Sequence, residues 1–428
     1  MSRPPTRPVL HFTSRSGWIN DPLGLTHDDG TYHLFFQHVP AGTVWDPGCA
    51  WGHATSTDLL HWAEQPVALS PGDGDQGCWS GSVALPEPGR PVVFYTSVGP
   101  PDLGLGTVRT ARPAAGLGWT GWSKGDVVVR LPPDVPAEVF RDPSVFRDGD
   151  RWRMLVGAGL VDGTAAVLGY ASDDLERWSY EGVVASRPTA DTDPVWTGSA
   201  WECPQLFPLG DRWVLVVSVW DGAPQHVAYA VGTWADGRFT ADRWRRLTWG
   251  DACYAPTVFT DRDGQRGVVH WLRGVDDLEA GWAGALSVPH RLALEGDVLR
   301  VQPHPAVDAL RRAAADPAGL PDGPTDLLWR VSPDAPLRLH RGDGRVVVEL
   351  ELAADVLRVR TPGDEAERAL PCTDAVVRVL ADGPALEVFT GAAVLAARVP
   401  AGPGALRPLD EHDGSVTCWS LAGPARSA

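Results

Sequence analysis

Along the first three hundred residues, apolar and polar positions alternate over short stretches, and Gly, Asp or Pro bounds each stretch. Period-two runs between turn residues predict half-buried β-strands, and helical spacing is almost absent there. One unit recurs. A Gly- or Asp-rich turn leads into a strand of aromatic and β-branched residues in DDGTYHLFFQH (28–38), PGRPVVFYTS (88–97), DGDRWRMLVG (148–157), GDRWVLVVS (210–218) and DGQRGVVHWLR (263–273), roughly 60 residues apart. A second element follows it: GHATSTDLLHW (52–62) and GYASDDLERW (169–178) share a small-residue strand, a Ser-Asp turn, a Leu and a closing Trp, and WAGALSVPHRLAL (282–294) is a third version. Five units of about four strands predict a five-bladed β-propeller over residues 1–305, whose radial closure leaves only short edges.

The pattern changes near residue 305. AVDALRRAAADPAG (306–319) carries apolar positions at helical spacing and ends at Pro and Gly, which predicts a short helix in a linker over 306–322. Beyond it, RVVVELELAADVLRVRT (345–361), DAVVRVLADGPALEVFT (374–390) and SVTCWSLA (415–422) return to period two. That spacing predicts a C-terminal β-sandwich over 323–428, and the whole chain reads as all-β.

Composition narrows the function. A formal net charge of −17 argues against a nucleic-acid or anionic-membrane surface, which needs clustered Lys and Arg. The N-terminal MSRPPTRPVLHF holds no apolar run of signal-peptide length. Six scattered cysteines (Cys49, Cys78, Cys203, Cys253, Cys372 and Cys418) form no C-x-x-C pair. They read as reduced thiols of a cytoplasmic protein rather than a disulfide frame or zinc site. No metal and no cofactor is expected. Twenty tryptophans against two methionines supply flat aromatic surface, most of it for cores and some for stacking against sugar rings.

Three carboxylates stand just ahead of predicted inner strands: Asp21 in GWINDPLG, Asp142 in FRDPSVF and Glu202 in WECPQLF, each followed at once or after one residue by Pro. CYAPTVF (253–259) and CWSGSV (78–83) hold the matching place in the fifth and second units. Inner strands line a propeller's central channel, so matching points on different units converge at one mouth. Asp-Pro alone commonly starts a turn. Three acids at matching points, two of them flanked by Trp18 and Trp201, point instead to catalysis.

The set W-x-N-D-P, W-S-G-S, R-D-P and E-C-P, in that order, resembles glycoside hydrolase family 32, the invertase, inulinase and levanase family, and the likeness extends to WAGALSVPHRL (282–292) and ALEVFTG (385–391). The resemblance implies a five-bladed propeller followed by a β-sandwich, and a β-fructofuranosidase that cleaves terminal fructosyl bonds of sucrose and short fructo-oligosaccharides. It implies Asp21 as nucleophile, Glu202 as general acid/base and Asp142 as the acid that holds fructose hydroxyls. Asn20, Gln37, Trp45, Ser80 and Arg141 match its fructose-pocket contacts, Trp79 stands where Phe is usual, and Trp271 matches an aromatic that closes the pocket.

The chemistry agrees with these roles. An oxocarbenium-like transition state needs a negative group on one face and a proton donor on the other, and a retaining mechanism passes through a covalent fructosyl-enzyme. Glu202 then needs a proton near neutral pH, which repulsion from Asp21 and Asp142 favours, so Arg141 is expected to pair with an aspartate or a sugar hydroxyl. Leu23 replaces the second Asn of the family's N-D-P-N-G, which keeps a fructosyltransferase as one alternative reading. A non-catalytic fructan-binding propeller is the other. His53 and His61 read as structural, Trp419 as a core residue, Cys203 as an acid-tuning or packing thiol, and GDGDQG (72–77) as a solvated loop rather than a calcium site. The expected partner is a small sugar, with the chain a monomer or homodimer.

Overall fold

The computed structural model describes residues 7–423 except 313, 315–319, 343, 362–367, 401, 403 and 410–414. Among the described residues, regular structure is strand apart from two 3-10 turns (Gly118–Thr120 and Leu278–Ala280) and one helical turn, Pro305–Asp308. The expected all-β character holds.

Three of the repeat units form separate antiparallel sheets of four consecutive strands, over 77–129, 137–188 and 200–246. The first and fifth units merge into one nine-stranded sheet, because Gly17 and Trp18 pair in parallel with Trp282 and Ala283. The leading strands of the five units are Gly17–Asp28, Gly77–Ala84, Ala137–Asp148, Ala200–Leu209 and Cys253–Thr260. They touch one another in that order, and the fifth returns to the first.

Apolar layers fill every step of that cycle. Leu23 and Trp51 meet Val93 and Tyr95. Phe94 and Val108 meet Phe140 and Met154. Leu155 and Val167 meet Trp201 and Leu215. Phe207 and Val214 meet Val268 and Leu292, and Phe259 and Val269 meet Ile19 and Phe36. Full burial of side chains this large is worth about 1.5–3 kcal/mol each. Units also approach backbone to backbone: a Cβ at Gly157 would lie 2.2 Å from the Trp201 carbonyl oxygen, so glycine is required there.

The Ser-Asp turns of the repeat are built alike. Ser56 Oγ accepts from Leu59 N and Asp58 Oδ1 from His61 N, while Ser172 Oγ accepts from Leu175 N and Asp174 Oδ1 from Arg177 N. These bonds hold Leu59 and Leu175 at φ of 71° and 65°, a left-handed conformation that leucine seldom adopts.

The helix expected over 306–319 is only the turn Pro305–Asp308, and residues 313 and 315–319 of that stretch lie outside the described ones. Pairing cuts it short. Arg311 bridges Leu421, Arg312 N donates to the Ser420 carbonyl and Ala422 N to the Leu310 carbonyl, so the chain is drawn alongside the C-terminal strand.

Two more sheets follow, of six and five strands. Leu327, Trp329, Val379 and Val388 of one share a buried cluster with Leu339, Val348, Leu350 and Val359 of the other. Their alternation in sequence is the alternation of inward and outward faces. The six-stranded sheet borrows Thr248–Trp249, which pairs in parallel with Val394 and Leu395. It is also tied to the start of the chain by a buried ionic cluster. Asp382 Oδ2 accepts from Leu10 N and His11 N and lies 3.0 Å from His11 Nδ1, and Glu387 sits between His11 Nε2 (2.9 Å) and His290 Nε2 (2.8 Å).

Candidate active site

Every leading strand breaks register at its motif, between Ile19 and Pro22, Trp79 and Gly81, Arg141 and Ser144, Glu202 and Gln205, and Tyr254 and Thr257. These are β-bulges, which re-aim side chains at the rim of a sheet. Pro22, Pro143, Pro204 and Pro256 lack the N–H that the ladder would use, so they sit where the ladder is interrupted. Just before three of them, Asp142, Cys203 and Ala255 have φ of 65°, 45° and 44°. Such strain costs about 1–3 kcal/mol per residue and is held only where surrounding structure enforces it.

The registers also correct the reading that the three acids occupy one matching point. They occupy two levels. Within the bulges lie Asp21, Ser80, Asp142, Cys203 and Ala255; just before them come Trp79, Arg141, Glu202 and Tyr254.

At the bulge level, a relay of polar side chains fixes Asp21. Ser80 Oγ donates to its Oδ2 at 2.5 Å and Asn20 Nδ2 to its Oδ1 at 3.0 Å. Gln37 joins the two, accepting from Asn20 at 2.6 Å and donating to Ser80 at 2.7 Å, and Trp18 Nε1 donates to Asn20 at 3.1 Å. Asp142 accepts from Cys203 N at 3.0 Å, while its own N donates to Thr96 Oγ1 at 2.8 Å. The Cys203 thiol bridges the pair, 3.5 Å from Asp142 and 3.8 Å from Asp21. Burial first, and the Glu202 charge second, push Asp142 up to about 7; burial likewise pushes Asp21 up to about 6 against the Ser80 bond.

At the level above, Glu202 accepts from Arg141 Nε at 2.9 Å on Oε1 and from the Tyr254 hydroxyl at 2.5 Å on Oε2. Arg141 therefore pairs with Glu202, contrary to the expectation that it would turn to an aspartate or a sugar. The physical reason is register: Arg141 and Glu202 hold the same level on adjoining strands. Trp79 and Trp220 flank the guanidinium at 5.8 and 5.4 Å.

All ten residues singled out in the sequence lie at this mouth. Trp45 is 47% exposed and edges Trp79 at 5.7 Å, making a rim. Trp271 packs with Trp18, Tyr254 and Cys203 in the wall. Sequence reasoning missed Tyr254, Thr96 and Trp220. Tyr254 was legible, since CYAPTVF puts it level with Glu202; the other two lie on second strands that carry no motif. Leu23 is buried between the first two units beside Phe35 and Trp51, so its replacement of a polar residue changes packing.

Other expectations resolve simply. All six cysteines are buried, and none is in a disulfide. His53 contacts His33 at 3.1 Å, and His61 pairs with Asp58. Within GDGDQG, Asp73 is exposed but Asp75 is buried, accepting from Tyr95, Arg109 and Lys124, so that loop is anchored rather than solvated throughout. Trp419 is half-buried, with Arg311 stacked 4.0 Å from its ring, rather than in the core. No helix among the described residues is long and apolar enough to cross a membrane.

Residues 11–303 match the glycosyl hydrolases family 32 N-terminal domain. The chain belongs to glycoside hydrolase family 32. It is 32% identical over 325 residues to a sucrose-6-phosphate hydrolase of Escherichia coli, covering 71% of this chain and 66% of that one. A fructan 6-exohydrolase of Beta vulgaris is 30% identical over 348 residues, covering 72% and 56%. The chain thus spans less than two thirds of the length of these curated relatives. Among solved structures, a Bombyx mori family 32 β-fructofuranosidase in complex with sucrose superposes with a TM-score of 0.83 at 25% identity, covering 99% and 96% of the two chains.

Proposed function

We propose that this protein is a β-fructofuranosidase that releases terminal fructose from sucrose and short fructo-oligosaccharides. The observation that carries it is the meeting of Asp21, Asp142 and Glu202 at one mouth, with both aspartates touching the Cys203 thiol. The cyclic contact of five leading strands supports a five-bladed propeller over 1–305, and the shared core of the two last sheets supports a sandwich over 323–428, joined by 306–322.

Asp21 is the nucleophile. Ser80 and Asn20 grip both of its oxygens, which leaves the carboxylate little freedom except to attack the anomeric carbon, and the fructosyl-enzyme forms there. Glu202 donates its proton to the departing oxygen and then activates water; Arg141 and Tyr254 hold it in position. Asp142 binds fructose hydroxyls and steadies the positive charge of the transition state. Burial first and the Glu202 charge second hold Asp142 up at about 7, so the site retains a proton near neutral pH, while Asp21, at about 6, is mostly ionised there and able to attack. Leu23 lies in the apolar layer between the first two units, which supports hydrolysis over the transferase reading.

Incubation with sucrose, kestose, inulin and levan, with products separated by chromatography, tests this. Fructose from sucrose and kestose is expected, in step with glucose from sucrose. Release from none of the four would overturn the reading, and trisaccharide accumulation at high sucrose would restore the transferase.

A further inference from the structure

Beside the carboxylates, between the fourth and fifth units, lies a cavity of about 580 Å³ lined by Trp196, Gln225, His226, Arg246, Asp251 and Arg273 among others. Its charge is unusual for a chain of net charge −17. Arg246 donates from Nε to the Thr248 carbonyl at 2.8 Å and lies 4.4 Å over the Trp249 ring, while its two terminal nitrogens have no hydrogen-bond partner among the described residues. Arg273 gives Nη1 and Nη2 to the carbonyls of Pro224 and Gln225, and its buried Nε bonds to nothing. Neither arginine forms an ion pair among the described residues. The single carboxylate of the lining, Asp251, is taken by Arg368 at 2.9 Å.

Half-buried guanidinium groups that share one carboxylate, Asp251, with Arg368 bear a desolvation cost. Burial lowers the pKa of both arginines, and burial together with Arg246 pushes His226 down to about 4. His226 is therefore neutral at physiological pH, and its buried Nε2 is also unpartnered. Two cations and an open volume share one wall, and an anion would satisfy both. Arginine's planar fork suits an oxyanion with several acceptors.

We propose that this cavity binds a phosphate-type oxyanion between Arg246 and Arg273. Its position gives the site a use. Arg273 lies 5.1 Å from the Tyr254 ring, whose hydroxyl bonds Glu202, so the cavity adjoins the acid/base. The anion is either free phosphate or a phosphoryl group on the leaving sugar; the second source rests on the fructosidase reading, the binding site itself does not.

Titration of the protein with inorganic phosphate, followed by calorimetry, tests binding without any turnover. A Kd of about 1 mM or tighter is expected. Arg246→Gln should weaken it at least about tenfold, and Arg246→Lys, which keeps the charge but not the fork and controls for folding, should fall between Arg246→Gln and wild type. No heat at 20-fold the expected Kd, or equal binding by Arg246→Gln, overturns the proposal. Kinetics then separate the sources. If the anion rides on the substrate, Arg246→Gln raises KM for a phosphorylated sucrose about tenfold and leaves sucrose unchanged. If it is free, added phosphate alters turnover of sucrose itself, and Arg246→Gln abolishes that response. A protein that binds phosphate but cleaves no fructoside would keep this site and lose only the function proposed above.

Discussion

At the mouth, Asp21 and Asp142 lie with Glu202, and the cation bonded there among the described residues, Arg141, is committed to Glu202; at the junction with the last two sheets, Asp382 and Glu387 enclose His11 and His290. All of these groups are largely withdrawn from water, yet the aspartates of the mouth and the two acids of the junction shift in opposite directions. Burial and a neighbouring carboxylate drive the two aspartates up to about 6 and 7. At the junction burial pulls the same way, but His290 and the bond from His11 outweigh it and hold Glu387 down at about 2, while Asp382 and Glu387 hold His11 up at about 9. Paired charge builds a joint; like charge, held together by bulges and left-handed residues, builds a reactive site. The junction is therefore expected to govern stability and the mouth activity, and each substitution below asks whether the two can be separated.

The largest effect belongs to Asp21→Asn. Without the nucleophile, kcat/KM on sucrose should fall at least about a thousandfold while the thermal melt stays cooperative and no lower than wild type. Activity within tenfold of wild type would remove the assigned mechanism. Next comes Glu387→Ala, which strands the His11 and His290 rings in a dry junction. A loss of about 3–5 kcal/mol in urea unfolding is expected, with kcat nearly unchanged in the folded fraction. A loss below about 1 kcal/mol would mean that the junction is no more than a satisfied polar contact.

Within the mouth, the floor and the level above it divide further. Tyr254 touches Glu202 and none of the aspartates' oxygens. Tyr254→Phe keeps the ring and removes one donor to a charged group, so kcat should drop about 10–100-fold with KM little changed, and the alkaline side of the rate–pH profile should move. An equal loss in KM would make Tyr254 a substrate contact instead.

How much of this was visible in the sequence follows from what repeats. Four of the five leading strands announced themselves through X-Pro motifs, and the motifs mark bulges because proline cannot serve the ladder. The positions of the Ser-Asp turns were legible for the same kind of reason: short polar side chains must bond the local backbone. What the sequence did not show depends on register between strands far apart. The Arg141–Glu202 pair needs two units set side by side at one level, which a 61-residue separation does not reveal. Asp75 looked solvated because its partners Tyr95, Arg109 and Lys124 come from three other strands. The helix after residue 305 had the right local spacing, but backbone bonds to Ser420 and Ala422 claimed the chain instead.

The smallest effect, and the most discriminating, is the pH dependence of stability. A carboxyl whose folded pKa stands above its unfolded value binds protons more tightly in the folded state. Asp21, at about 6 against 3.8, thus lowers stability as pH rises from about 4 through 6. Removing it should make Asp21→Asn more stable than wild type at pH 7.5, by about 1–3 kcal/mol, with the advantage gone near pH 4. His11 is also raised, at about 9 against 6.5, but as a base: its contribution is full below about pH 6.5 and lost as pH climbs through 9. His11→Gln should therefore cost stability at pH 6 and little at pH 10. Glu387, lowered to about 2 from 4.5, contributes above about pH 4.5 and is lost as pH falls through 2. Urea midpoints for wild type, Asp21→Asn and His11→Gln between pH 4 and 10 place the two losses in separate windows, one below and one above pH 6.5. If Asp21→Asn gains nothing at pH 7.5, the mouth carries no like-charge strain. Its acids would then be as well compensated as those at the junction, and the contrast between the two clusters would fail.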